Sequence, residues 1–207
     1  MVFNPGNVRD FLPRFDFQDN ELEVVEETKL LGVIIRSDLS WSSNTSYMVT
    51  RANKKLWWLK RLRKLGATTD DLMDVYTKQI RSLVEFAAPV WHSNLTGEDR
   101  LKIERVQKSA LSIILGEQYY SYRSALKHLR LESLYTRRVR LCKKFAKKSQ
   151  KHSKFEKWFK PNTRITVTRA KGSKFCEVHC RTERFKNSPI SFLTKLLNSE
   201  WSLFPLI

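Results

Sequence analysis

Apolar residues recur at steps of three and four through the middle of the chain, from about residue 42 to residue 117. This spacing places them on one face of each of three amphipathic helices. The first stripe is Met48, Ala52, Leu56, Leu59 and Leu62, the second is Leu72, Val75, Tyr76, Ile80, Leu83, Val84 and Ala87, and the third is Ile103, Val106, Ala110, Ile113 and Ile114. Three such helices with short joints predict a helical bundle over residues 42–117.

Residues with specific backbone preferences mark the ends of these helices. Gly66 and Gly116 follow the first and third stripes, where glycine commonly ends a helix, and Pro89 follows the second. The stretch Thr68–Asp71 supplies a predicted N-cap and acidic first turn for the second helix, and Thr96–Asp99 opens the third. The pair Asp70–Asp71 is therefore interpreted as the acidic first turn of the second helix.

The residues before the bundle carry strand patterns. Short aliphatic runs at Leu22–Val25 and Lys29–Ile35 predict two strands, the second containing Gly32, where backbone or a ligand approaches closely. A turn is predicted at Ser37–Trp41. Residues 1–41 are therefore expected to hold a small β-hairpin.

Beyond the bundle the helical spacing continues and then fades. It predicts a shorter helix over Ser121–Leu129 and a long one over Glu132–Lys151, which form a basic helical extension over residues 118–151. Residues 152–207 are interpreted as an irregular basic tail, with a strand at Ile165–Thr168 and a terminal helix at Ile190–Leu197.

The charge of the chain is strongly unbalanced, with 39 Lys and Arg against 21 Asp and Glu and a net charge of +18. A surplus of this size attracts polyanions, and counterions are released when it meets phosphate. Nucleic acid is the expected partner, although charge alone leaves a membrane surface or a ribosome open. No apolar run approaches the roughly 20 residues that span a bilayer, so no membrane partner is expected. Three cysteines cannot all pair within the chain, which indicates an intracellular protein.

Two helices concentrate this charge. No Asp or Glu lies between Leu39 and Thr69, whereas the first helix carries Arg51, Lys54, Lys55, Lys60, Arg61, Arg63 and Lys64. A helix whose charged residues are all cations lacks favourable i,i+4 ion pairs, and each pair of neighbouring cations costs about a few tenths of a kcal/mol in repulsion. A polyanionic partner would offset this cost. The second run lies on the long helix and contains Arg137, Arg138, Arg140, Lys143, Lys144, Lys147 and Lys148.

Other functions of these cations stay open at the level of sequence. Trp57 and Trp58 stand among the cations of the first helix, where exposed rings can stack on bases or sugars. The alternative is core packing, although two adjacent helical residues cannot both point inward. The second run is also typical of a solvated or nuclear-targeting face, so a nuclear location is expected.

The order of these segments resembles one family. The stretch Lys29–Trp41, with its Leu-Gly-Val-(x)5-Leu-x-Trp block, resembles the end of the palm in reverse transcriptases of non-LTR (LINE-like) retrotransposons. The segments that resemble the thumb of these enzymes and the region after it are Ala52–Leu56, Arg61–Gly66, Tyr76–Ser82, Glu85–Trp91, Glu104–Ala110, Ile113–Gly116 and Leu141–Ala146. The resemblance covers roughly residues 20–150.

The resemblance implies specific roles. In these enzymes the block lies in the primer grip, which positions the primer 3′ end, so Leu31, Gly32 and Val33 would take the grip positions. The basic first helix would help to clamp an RNA or DNA template–primer duplex. The implied fold is mainly α with a small N-terminal β-hairpin, a thumb-like helical bundle and an irregular basic tail. Cations without base-reading geometry bind any duplex through its phosphates, which agrees with this role.

Polymerase catalysis is not expected from this chain. The resembled enzymes hold paired Mg²⁺ ions with an aromatic-x-Asp-Asp turn and a further Asp upstream. Asp70–Asp71 lacks the preceding aromatic residue, and in the family's order the catalytic turn precedes the grip, whereas only residues 1–28 precede it here. We therefore expect no catalytic residue, no metal ligand and no cofactor in this chain, and interpret it as a non-catalytic part of a reverse transcriptase.

Other chemistry is weakly represented. Sequences of this type are also similar to a segment of an AlkB-like RNA-modifying protein, but the histidines form no His-x-Asp pair, as an iron oxygenase requires, and no Gly-x-Gly loop is present for a methyltransferase cofactor. Cys176, His179 and Cys180 lack a second paired element for zinc. The remaining alternative is a decayed element or a protein-interaction module without a role in nucleic-acid binding. Reversing the charges of Arg61, Arg63 and Lys64 would distinguish these alternatives, because duplex binding predicts weaker binding and a shallower salt dependence.

Overall fold

A computed structural model describes residues 16–17, 20–21, 25–162, 175–177 and 179–199 of the protein. Its strands form two antiparallel pairs at the beginning of the described chain. Strands β1 and β2 are Asp16–Phe17 and Asn20–Glu21, and strands β3 and β4 are Glu27–Leu30 and Val33–Arg36.

The β3–β4 hairpin corrects one prediction. Lys29–Ile35 was expected to form a single strand, but the chain reverses within it at Leu31 and Gly32. Both residues have positive φ, 47° and 88°, as a two-residue hairpin turn with right-handed strand twist requires. Gly32 therefore occupies a position of the hairpin turn that requires positive φ. Of the other predicted strands, Ile165–Thr168 and most of Leu22–Val25 lie outside the described residues.

The rest of the described chain is mainly helical, which confirms the predicted fold class. Its α-helices are α1 (Ser42–Lys64), α2 (Thr69–Val75), α3 (Ser82–Glu85), α4 (Ala88–Trp91), α5 (Gly97–Leu115), α6 (Tyr122–His128), α7 (Leu134–Gln150), α8 (Glu183–Lys186) and α9 (Pro189–Asn198). A π-helical turn, Tyr76–Arg81, joins α2 to α3, so the predicted second helix is one helical segment that ends at Glu85, before Pro89.

Local hydrogen bonds explain why these helices begin and end where they do. At the end of α1, Ala67 N–H donates to Leu62 O over 3.2 Å and Gly66 N–H donates to Arg63 O over 3.0 Å, a Schellman motif with Gly66 at φ +88°. Thr68 caps α2 through Asp71, and Thr96 caps α5. The predicted glycine ends and threonine caps are confirmed.

The main core forms where α1, the α2–α3 segment and α5 pack together. The helical stripes of the three predicted helices supply most of its side chains. Its fully buried large residues include Leu59, Tyr76, Ile80, Trp91, Ile103 and Leu111. Helix α7 packs on α5 as well, so α5 lies between α1 and the basic extension.

A second core cluster lies beneath α7. Helix α9 packs against α7, and the cluster contains Val139, Cys142, Ala146, Phe159, Phe175, Leu193 and Leu196. The predicted terminal helix is confirmed as Pro189–Asn198. The described part of the region interpreted as a tail therefore contributes to the packed structure. Within the described residues, none of the helices combines the length and apolarity needed to cross a bilayer.

Two glycines offer a matched test of the helix ends. Gly66 and Gly116 both have positive φ, but a Cβ at Gly66 meets nothing, whereas one at Gly116 would collide with the Arg63 guanidinium. We expect Gly66→Ala to cost about 1–2 kcal/mol of unfolding free energy from backbone strain. Gly116→Ala should cost more, because Arg63 would also lose its bonds to α5, and urea denaturation would show the difference. Equal losses would contradict this account.

Candidate nucleic-acid interface

The outward face of α1 carries both tryptophans. Leu56 and Leu59 are buried on the core side, and the helical rotation of 100° per residue turns Trp57 and Trp58 away from it. The two side chains are 57% and 60% exposed. The sequence left this pair open between core packing and contact, and the structure places both rings outside the core.

The tryptophans contact each other and a cation. Their ring centroids are 4.9 Å apart with an interplanar angle of 83°, an edge-to-face arrangement. The Arg61 guanidinium lies 6.0 Å from the centroid of the Trp57 ring, at the edge of cation–π range. We call the two rings, Trp57 and Trp58, the tryptophan pair, and Arg61 lies against it.

Most of the predicted cations of α1 lie at the surface, as the tryptophan pair does. The exposed ones are Arg51, Lys54, Lys60, Arg61 and Lys64. Within the described part of the chain, no carboxylate forms an ion pair with any of these five. Their charges are therefore available to an anionic partner.

Two of the predicted α1 cations have structural contacts instead. Arg63 is half-buried, and its guanidinium donates to the carbonyl oxygens of Ile113 and, over 2.8 Å, Ile114 at the end of α5. It thereby satisfies carbonyls that the helix leaves unpaired. Lys55 Nζ donates to Gln79 Oε1 over 2.9 Å. Arg63 is thus corrected from a phosphate contact to a link between α1 and α5.

A tyrosine links the hairpin to the basic face of α1. Lys29 Nζ on β3 donates to Tyr47 Oη over 2.8 Å, and Arg51 donates to the same oxygen over 3.4 Å. The bond from Lys29 lowers the pKa of Tyr47 below its ordinary value, and the charge of Arg51 acts in the same direction. Sequence reasoning missed Tyr47, although its spacing of four from Arg51 indicated a shared helical face.

The three predicted grip residues have different environments. Leu31 is 89% exposed at the hairpin tip, whereas Val33 is buried in the main core. A Cβ on Gly32 would lie 3.2 Å from the Phe86 ring, so the turn lies directly against the residue that follows α3. The structure therefore brings the hairpin tip close to Phe86, and only Leu31 presents a large side chain to solvent.

The basic run of α7 divides between surface and interior. Its outward face exposes Arg140, Lys144, Lys147 and Lys148, with Arg140 also pairing with Glu132 at 2.7 Å. Arg137 forms a two-point ion pair with Glu85, which raises the pKa of Arg137. Lys143 is half-buried, and burial lowers its pKa.

Arg138 is the clearest correction among the predicted site residues. Its side chain is fully buried, so it cannot contact phosphate at the surface. Its Nε donates to His92 Nδ1 over 3.3 Å, and its guanidinium lies 5.9 Å from the Trp91 ring centroid. Among the described residues, its two Nη atoms have no hydrogen-bond partner. Burial lowers the pKa of Arg138, while the charge of Glu104 partly offsets this effect.

A second buried polar contact was missed by sequence reasoning. Tyr122 Oη donates to Glu104, and Glu104 also accepts from the N–H of Leu134 over 3.0 Å. Gln107 Nε2 donates to the carbonyl of Glu132 over 3.1 Å. These bonds tie α5 to α6 and to the beginning of α7, and they hold the basic face of α7 relative to the core.

The Asp70–Asp71 pair lies in the first turn of α2, where Asp71 contacts the N-cap residue. Asp71 Oδ2 accepts from Thr68 N–H over 3.1 Å and from Thr68 Oγ1 over 2.6 Å, which confirms its predicted capping role. These bonds lower the pKa of Asp71. In the described parts of the chain, no group of three or more His, Cys, Asp or Glu side chains is arranged around a common point.

An apolar cavity of about 740 Å³ lies between α4, α7 and the α8–α9 region. Its largest lining side chains are Phe145, Trp158 and Phe185. Among its described lining residues the polar ones are Ser188 and Ser191, which provide little to orient a charged ligand. The cavity is lined by none of the exposed cations of α1.

No known protein family, curated protein or solved structure matches this chain. The likeness to reverse transcriptases therefore rests on the sequence segments alone and stays a prediction.

The contact between Arg138 and His92 generates a pH prediction. Burial, and next the charge of Arg138, lower the pKa of His92 to about 3, below its ordinary 6.5. The unfolded chain therefore gains a proton below pH 6.5 that the folded chain does not accept, and stability falls from there towards pH 3.

In the unaltered protein, His92 should lower the free energy of unfolding by about 1.4 kcal/mol for each pH unit between pH 6 and pH 4. We expect His92→Gln to abolish this part of the pH dependence. The glutamine oxygen can still accept from Arg138. Urea denaturation at several pH values would measure the effect, with exposed His128→Gln as the control. Identical pH dependence in His92→Gln and the unaltered protein would contradict the assignment.

Proposed function

We propose that the protein binds nucleic acid without sequence preference, through phosphate contacts from the outward face of α1. The observation that carries the proposal is the set of exposed cations on α1 without carboxylate partners among the described residues. Lysine and arginine contacts to phosphate position a duplex without reading its bases. The exposed Lys144, Lys147 and Lys148 of α7 provide a second basic surface.

Energetics support a polyanionic partner over a merely solvated face. Five exposed cations on one helix, without acids at i±3 or i±4, repel each other in the free protein. Phosphates would remove this repulsion and release their own counterions. A helix that needed charge only for solubility would carry both acidic and basic residues. The α2 segment does so, with Lys78 Nζ 2.6 Å from Asp74 Oδ2.

We also propose that this binding corresponds to a reverse-transcriptase grip on template–primer, as the sequence resemblance implies. The support is the bond between Lys29 of the hairpin and Tyr47 of α1, which joins the grip-like segment to the basic face. In this proposal the chain holds nucleic acid and catalyses nothing alone. The basic run of α7 supports a nuclear location in the same proposal.

The test reverses Lys54, Arg61 and Lys64 to glutamate together and follows binding to a labelled duplex by fluorescence anisotropy. Arg63 is left unchanged because it supports α5. We expect at least a ten-fold loss of affinity at about 100 mM salt, and a log–log salt slope reduced by about one per lost phosphate contact.

The control reverses Arg123, Lys127 and Lys186, which are exposed on α6 and α8, and changes the net charge equally. It should retain most of the affinity. A protein-interaction module or a decayed element predicts no specific effect of the α1 reversal. Equal losses in both variants, or no binding by the unaltered protein, would overturn the proposal.

A further inference from the structure

We infer that the tryptophan pair of α1 stacks on unpaired bases, so that the protein prefers nucleic acid with single-stranded bases over a closed duplex. This inference rests on the proposed function of the same face. It adds the class of nucleic acid that the face selects, which phosphate contacts alone cannot do.

Both rings of the tryptophan pair are exposed. Trp57 and Trp58 both leave more than half of their surface in water, and their edge-to-face contact gathers them into one apolar patch. Large adjacent apolar surfaces on a folded protein generally mark a contact with a partner. The helix could bury neither ring by local adjustment, because Leu56 and Leu59 already fill its core side.

The two rings can stack only on a ligand that exposes the face of a base. In a closed duplex each base has neighbouring base pairs on both of its faces, and only its edges reach the grooves. An indole can stack on a base only where the base is unpaired or terminal, and such stacking tolerates any sequence. The tryptophan pair therefore contributes to single-strand binding far more than to duplex binding.

Cations lie in line with the two rings along α1. Lys54, Trp57 or Trp58, Arg61 and Lys64 follow one another at helical steps of three or four along the same face. From residue 54 to residue 64 this row spans about 15 Å, the length of a few nucleotides. Aromatic rings between cations match a strand whose phosphates and bases alternate along one side.

A protein partner fits this surface less well. Tryptophan and arginine are common at protein interfaces, but lysine is depleted there because its ammonium is costly to dehydrate. Lys54, Lys60 and Lys64 are all exposed on the same helix as the rings. A protein contact is therefore the alternative outcome of the test.

The test compares binding of a single-stranded oligonucleotide and a blunt duplex with equal numbers of phosphates. The unaltered protein should bind the single strand more tightly. Trp57→Ala/Trp58→Ala should weaken single-strand binding by about ten-fold or more, since stacking contributes about 1–3 kcal/mol per base. Duplex binding should change less than about two-fold. Trp57→Phe/Trp58→Phe should retain part of the preference, and Phe185→Ala, which alters an exposed ring on α8, should retain all of it.

The outcomes separate this inference from the proposed function. If the unaltered protein binds neither ligand, both fail. If it binds the duplex at least as tightly as the single strand and the alanine variant binds both unchanged, the inference fails and phosphate binding stands. If sedimentation shows that the alanine variant loses self-association while its single-strand affinity is unchanged, the rings form a protein contact and the inference is overturned.

Discussion

The packing of α1 against α5 is the interaction on which the rest of the structure depends. It buries Ala52, Leu56 and Leu59, and this choice of buried face determines which cations and rings face outward. Arg63 strengthens the same contact by bonding to the last carbonyls of α5, close to Gly116. Because α7 packs on α5 too, both basic faces are oriented by one central helix.

Two arginines of α7 are partly or fully buried, and each has contacts that stabilise its charge. Arg137 has a carboxylate partner in Glu85, whereas Arg138 has the acceptor of His92 and the face of Trp91. A buried cation with so few partners is costly, and its position is tolerable only because a neutral histidine and an aromatic face lie against it. Burial, and next the charge of Arg138, lower the pKa of His92, so the histidine stays neutral in this position.

Helix ends were predictable from sequence because they depend on local chemistry. Gly66, Thr68 and Thr96 act through backbone atoms within a few residues. The hairpin turn was less evident, since Leu31–Gly32 lies inside a run of aliphatic residues whose β-propensity suggested one strand. Propensity cannot locate a reversal when the residues on both sides favour strands.

The sequence predicted that the candidate site is a basic helical surface, but it identified only some of the residues that lie on that surface. The exclusion of acids from α1 identified its basic face, and the exposed cations and tryptophans follow from the helical phase. Helical spacing also indicates that Arg138 is buried. Arg138 lies four residues after Leu134 and four residues before Cys142, and both of these residues are buried.

The structural role of Arg63, by contrast, depends on its contact with the end of α5, which only the tertiary structure shows.

The burial of Arg138 and the repulsion among the cations of α1 are two different energetic costs in this fold. The cost of burying Arg138 is offset within the protein, whereas repulsion along α1 has no internal remedy among the described residues. An anionic ligand that binds only the folded state would reduce that repulsion, and it would stabilise the fold by an amount that grows with the logarithm of its concentration over Kd.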